Sequence, residues 1–342
     1  MANHRAKAPL PPPLALMQLL FGKQITYSLS GVARLGIADH MDGTPRPVEE
    51  IAAKVGAHAP SLYRVMRMLA GLGVFREGAP RQFALTPIGE LLKTDTPASL
   101  RYTAMMFGEE FSTRAYEHIA ACLRTGTDGV NEAYGKPIWE VLAERPKQFE
   151  TFQNAMTNST GVVAQAIMEA YDFSGIERLA DIGGGHGLLL ASILRSYPDL
   201  QAVLFDRPEV IASVPKEQFA DCADRIALEA GSFFERVPGG CDAYLMKYII
   251  HDWSDEHCRT ILSLIREKLP PHGRVLLCEM VVTGEPGPTP AKMLDIEMLV
   301  MTVGGRERTE EEFAALFAAS GLRLNRIVPT SRPICVIEAV PA

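Results

Sequence analysis

The chain has 342 residues, of which 47% are hydrophobic and 22% charged, and its formal net charge is -7. That length exceeds the size at which one hydrophobic core usually stops growing, so two domains are expected. The acidic balance gives no global electrostatic reason to bind nucleic acid or an anionic membrane, which leaves a small molecule as the expected partner.

The N-terminus carries His4, Arg5, Lys7 and Pro9 and then the run Pro11-Pro12-Pro13 before an apolar stretch from Leu14 to Phe21. It resembles a secretion signal only superficially. No small-residue cleavage site follows, and the apolar spacing continues helically through Ile25, Leu29, Val32 and Leu35. No apolar run approaches the roughly 18 residues that a membrane span needs. Cysteines at 122, 222, 241, 258, 278 and 335 show no paired C-x-x-C spacing, so free thiols and a cytoplasmic location are expected.

Residues 47–93 predict two short helices followed by a hairpin. Pro47 to Ala52 opens the first helix, and Leu62, Val65, Met66, Leu69 and Leu72 give the second its apolar face. A turn at Gly78-Ala79-Pro80 then separates two strand-like runs, which together make a winged-helix plan. Across 45–93 there are seven Lys/Arg against four Asp/Glu, too mild an excess for a DNA-reading surface. Residues 94–170 continue in helices, with Phe149, Phe152, Met156 and Val163 on one face as core or as the lining of an aromatic pocket.

After residue 170 short apolar strands alternate with amphipathic helices. Strands are predicted at 178–182, 202–206, 225–229, 243–250, 274–281, 323–328 and 334–340, with helices at 255–269 and after the capping box Thr309/Glu312. The fold class is therefore α/β: a Rossmann-like, mostly parallel seven-stranded sheet closed by an antiparallel pair, plus a mainly helical N-terminal domain. The expected domains are 1–100, the winged helix; 101–170, a helical linker and substrate-pocket region; and 171–342, the nucleoside-binding domain.

Two strand ends carry the chemistry. Asp181-Ile182-Gly183-Gly184-Gly185-His186-Gly187 fails the G-x-G-x-x-G dinucleotide pattern, because Leu188 or Leu190 stands where the third glycine belongs. What remains is a glycine turn whose amides face a ligand at the start of a helix. Asp206 closes the next strand, 23 residues after Gly183, where a carboxylate can accept both hydrogens of a ribose diol. The second strand end, Lys247-Tyr248-Ile249-Ile250-His251-Asp252-Trp253, finishes an apolar run in an imidazole, a carboxylate and an indole, and His251 is the candidate general base. Glu279 ends another strand, and Glu307 lies in Gly304-Gly305-Arg306-Glu307-Arg308-Thr309. His186 and His257 join no metal-ligand spacing, so no metal is expected.

These three segments together resemble the caffeic-acid O-methyltransferase-like family of class I, S-adenosylmethionine-dependent small-molecule methyltransferases, over nearly the whole chain. The resemblance implies an N-terminal winged-helix dimerisation domain, a homodimer, and transfer of a methyl group to a phenolic hydroxyl of an aromatic small molecule. It implies cofactor contacts from Asp181, Gly183, Gly185, Asp206, Arg207, Ser232, Phe233 and Lys247, with Asp206 on the ribose and Phe233 beside the adenine. Where plant members carry an acidic residue in G-D-F/M-F, this chain has Gly231-Ser232-Phe233-Phe234, which puts the adenine contact in doubt. His251 would be the base, bracketed by Glu279 and Glu307. A phenol of pKa about 10 suits an imidazole of pKa about 6.5. Phe152, Met156, Asp252, Met298 and Thr302 would line the substrate pocket, with Met105 and Phe107 as further candidates from local composition. The alternatives are a non-methylating hydroxylase, decarboxylase or cyclase on the same scaffold, and a winged-helix DNA-binding regulator.

Overall fold

A computed structural model describes residues 10–96 and 98–342. His4, Arg5, Lys7 and Pro9 therefore lie outside the described residues. The chain forms two compact units, one ending at Gly108 and the other running from Glu109 to Ala342. The helical stretch expected as a separate 101–170 region is thus divided, and most of it belongs to the second unit.

In the first unit, helices Val48–Val55 and Ala59–Gly71 precede a hairpin of β2 (Phe75–Glu77) and β3 (Gln82–Leu85), while the short β1 (Arg46–Pro47) pairs with β3. This is the succession of two helices and a hairpin expected from the sequence. Val48, Ile51, Leu62, Met66, Leu69, Phe75 and Phe83 bury its core; of the predicted second-helix face Leu62, Met66 and Leu69 are buried, Val65 is half-buried, and Leu72, at the helix end, is exposed. Helix Pro12–Leu20 buries none of its residues, and Leu14, Leu16, Leu19 and Leu20 are all exposed.

The second unit is built on seven strands: β4 (Arg178–Ile182), β5 (Gln201–Asp206), β6 (Ile226–Ala230), β7 (Ala243–Lys247), β8 (Arg274–Met280), β9 (Leu322–Pro329) and β10 (Ile334–Pro341). Their order is β6-β5-β4-β7-β8-β10-β9, parallel except for β10, which runs antiparallel to both β8 and β9. The central strands are apolar on both faces, as a sheet covered by helices on both sides requires. Leu179, Ala202, Leu204, Ala243 and Leu245 pack with Val163, Ile167 and Leu190 on one side. Ala180, Ile182, Val203, Phe205, Tyr244 and Met246 pack with Ile261, Ile265 and Phe317 on the other. The capping box at Thr309 and Glu312 starts helix Glu310–Ala318. All six cysteines are free, five of them buried. No helix among the described residues is long and apolar enough to cross a membrane.

One strand differs instructively from expectation. The run predicted at 243–250 stops at Lys247, because Tyr248 adopts a left-handed backbone with φ of 54°. Residues Ile250–Asp252 then form a single 3-10 turn, so His251 stands on a loop beyond the strand end.

Candidate active site

Side chains alternate along a strand, so Asp206, Asp181 and Lys247 share the sheet face whose core contains Leu204, Leu179 and Leu245. They lie at the carboxyl ends of the three adjacent strands β5, β4 and β7, Asp206 and Lys247 as last residues and Asp181 one before the last, where open α/β sheets bind ligands. A cavity of about 330 Å³ opens there. Gly183, Gly185, Arg207, Ser232 and Phe233 line it as well, so every expected cofactor contact faces one cavity.

The glycine turn explains part of this geometry. Gly183 has φ of 69°, a left-handed backbone that favours glycine, and a Cβ on it would also have to displace the Ile249 side chain, whose Cδ1 lies 2.5 Å away. The Gly185 amide donates to Asp206 Oδ2 at 2.8 Å, and the Arg207 amide donates to Oδ1 at 2.7 Å. The Asp206 carboxylate is thus oriented from behind with lone pairs left for the cavity. Burial raises the Asp206 pKa, against the lowering pull of these two amides. Burial also pushes Asp181 up to about 7, although Lys247 opposes the shift, and burial lowers the pKa of Lys247. Ser232 Oγ accepts from the Phe234 amide at 3.3 Å, which leaves its O–H free to donate into the cavity.

The candidate base, His251, sits on the other side of the edge. Glu279, fully buried at the end of β8, accepts from the Ile249 and Ile250 amides at 3.0 Å each, and so shapes the turn that presents His251. His251 Nδ1 lies 2.7 Å from Glu307 Oε1 and 3.7 Å from Glu279 Oε2. Tyr248, turned by its left-handed backbone, stacks on the imidazole with ring centroids 5.1 Å apart. Burial raises Glu279 to about 7 and Glu307 to about 8, with His251 countering the first and Asp295 adding to the second. Asp252, also raised to about 7 by burial, holds Oδ1 3.5 Å from His251 Nε2. The His251, Glu279 and Glu307 ligand atoms lie within 4.8 Å of one another, close enough to hold a cation, a cluster the sequence spacing did not reveal.

Phe152, Met156 and Asp252 line the cavity. Met298 and Thr302, on and just after helix Pro290–Met301, are buried and lie outside that lining. Thr302 nevertheless abuts the base loop, because a Cβ on Gly305 would run into both Thr302 Oγ1 and the His251 carbonyl. Of the stripe 149–163, Val163 is core, whereas Phe152 and Met156 face the cavity. Met105 packs on the core of the first unit, and Phe107 is exposed there. Residues that sequence reasoning missed include Trp139, which lines the cavity, and Arg308. Arg308 is only 1% exposed and donates to the Ile250 and Trp253 carbonyls and to Asp255, pinning both ends of the base loop. Its signal in the sequence is a second arginine directly before the Thr309 helix cap.

Residues 116–323 match the model of the O-methyltransferase domain, and 17–95 match that of the O-methyltransferase dimerisation domain. The chain belongs to the O-methyltransferase family. It is 41% identical over 340 residues, 99% of each chain, to the phenazine O-methyltransferase PhzM of Lysobacter antibioticus. It is also 37% identical to the 3-amino-4-hydroxybenzoate 4-O-methyltransferase of Streptomyces cremeus over 91% of this chain and 86% of that one. Among solved structures, CalO1, a methyltransferase of calicheamicin biosynthesis with S-adenosylhomocysteine bound, superposes with a TM-score of 0.85 at 32% identity, covering 98% of this chain and 100% of that one. The family uses S-adenosylmethionine as methyl donor.

Proposed function

We propose that this protein transfers a methyl group from S-adenosylmethionine to a hydroxyl, most naturally phenolic, on an aromatic small molecule, with His251 as general base. The observation that carries this is the pairing of a nucleoside-sized cavity at one face of the sheet edge with a Glu-bracketed imidazole on the adjoining loop. The residues fit the donor. Asp206 offers both carboxylate oxygens to a ribose diol, Ser232 offers a hydroxyl near the adenine position, and the buried pair Asp181 and Lys247 offers both charges to the amino-acid end. When bound, S-adenosylmethionine supplies an electrophilic methyl on a sulfonium.

The chain's own part is positioning and proton removal. Glu307 accepts a hydrogen bond from Nδ1–H of His251, which fixes the tautomer with its lone pair on Nε2. Nε2 takes the acceptor's hydroxyl proton as the oxygen attacks, and the two carboxylates stabilise the resulting imidazolium. Pairing as a homodimer through residues 17–95 is supported by the matching dimerisation domain and by the leucines left uncovered on helix Pro12–Leu20. The acceptor class rests on the aromatic substrates named for the two relatives.

The test is release of S-adenosylhomocysteine on incubation with S-adenosylmethionine and a panel of phenols that includes 1-hydroxyphenazine. His251→Ala is expected to keep donor affinity and lose turnover by roughly 10²-fold or more. Full turnover in that variant would remove His251 as the base.

A further inference from the structure

The chain contains two tryptophans, Trp139 and Trp253, and both line the same cavity. Their rings face each other with centroids 6.3 Å apart and planes inclined by 28°. Each is held from outside. Trp139 meets Phe152 edge-on at 5.6 Å and lies under the Arg207 guanidinium at 5.7 Å. Trp253 is braced edge-on by Phe234 at 4.7 Å and Phe233 at 6.0 Å.

We propose that Trp139 and Trp253 form an aromatic slot that takes a planar heteroaromatic ring between their faces. A flat ring in van der Waals contact with both needs the faces about 7 Å apart, twice a carbon–carbon contact of about 3.5 Å, so the two indoles part to admit it.

Two sources carry this chemistry, the adenine of the methyl donor and the acceptor's own ring. Arg207 and Phe233 beside the slot favour adenine, an assignment that rests on the cavity being the donor site as proposed above. In either case Trp139 becomes a binding residue, although it belongs to none of the strand-end segments.

Affinity for S-adenosylhomocysteine by calorimetry and the KM for 1-hydroxyphenazine, measured in Trp139→Leu and Trp139→Phe, test the slot. In Trp139→Leu, loss of stacking is expected to weaken one of the two by about three- to tenfold, while Trp139→Phe stays near the unsubstituted protein. Weaker S-adenosylhomocysteine binding places adenine in the slot, and a raised acceptor KM alone places the acceptor ring there. Neither parameter moving in a folded Trp139→Leu protein overturns the proposal, as does a Trp139→Phe variant as impaired as Trp139→Leu. In Trp139→Phe the remaining fluorescence comes from Trp253 and is expected to change on saturation with the bound ring; constant emission counts against the slot. Failure of the unsubstituted protein to bind S-adenosylhomocysteine sinks the donor-site reading instead and adenine with it, leaving the acceptor measurement to decide the slot.

Discussion

Replacing Arg308 by methionine is the most demanding test of how the base loop is held. The side chain is almost wholly buried, and its Nη1 and Nη2 donate to the Ile250 and Trp253 carbonyls at 3.0 Å each, on either side of His251. Methionine fills much of the same volume but donates nothing, so two carbonyls lose their charged donor at about 1–3 kcal/mol each, the Ile250 carbonyl keeping the Trp253 amide and both keeping the weaker Cys258 thiol. Asp255 also loses Arg308, but it is 44% exposed and keeps Arg306 at 3.0 Å, so that part is small. Removing a buried charge returns some of the cost. The net expectation is a loss of about 3 kcal/mol. For a unit the size of residues 109–342 that corresponds to a melting point about 6–12 °C lower. Calorimetric melting reads the stability, and S-adenosylhomocysteine release should show turnover down by about 10²-fold as the imidazole loses its placement. Arg308→Lys, with a charge but no fork, should recover only part of both. A melting point within about 2 °C of the parent for Arg308→Met would refute the assignment of these hydrogen bonds to loop stability.

Gly305→Ala should cost about 1–3 kcal/mol and most of the turnover, because its Cβ would meet the His251 carbonyl, and backbone cannot swing aside; denaturant melts and steady-state rates check both. Glu307→Gln removes the carboxylate that fixes the His251 tautomer, so kcat should fall by about 10²-fold or more with donor affinity little changed; a fall confined to KM would contradict that role. Burial holds the Asp181 and Asp252 carboxyls up near 7 in the free protein, and a bound sulfonium cation favours their ionised forms. Binding of S-adenosylmethionine should therefore release protons and tighten as pH rises from 6 to 8, more than binding of uncharged-sulfur S-adenosylhomocysteine does. Calorimetry in buffers of different ionisation enthalpy would show equal proton release for both ligands if the carboxylates are not involved.

Much of this molecule can be read from local pattern. The glycine turn, Asp206 and the strand-end carboxylates sit where periodicity and strand spacing put them, because parallel strands buried on both faces bring their polar ends to one edge. The capping box at Thr309 was equally visible, since a cap involves only neighbours in sequence. What escaped depends on long-range contact. The end of β7 moved from residue 250 to Lys247 because a carboxylate some 30 residues on captures two amides of the turn. Nothing in an apolar run of Tyr248, Ile249 and Ile250 announces that. Arg308 looks like any surface arginine until the loop it buries against is known. Trp139 is an aromatic on a short helix whose partner, Trp253, lies more than 100 residues away.

Asp181, Asp206 and Lys247 hang from one face of the strands, while Glu279 and the histidine turn belong to the other. The span between the two groups is therefore fixed by backbone hydrogen bonds through the middle of the sheet. The walls that carry Phe152, Met156 and Trp139 come from separate helices. Those walls can drift in sequence, reshaping what fits between them, without altering the distance from the Asp206 cavity to His251. A lineage built this way can acquire new acceptors by trial on its helices while its reaction geometry is inherited unchanged.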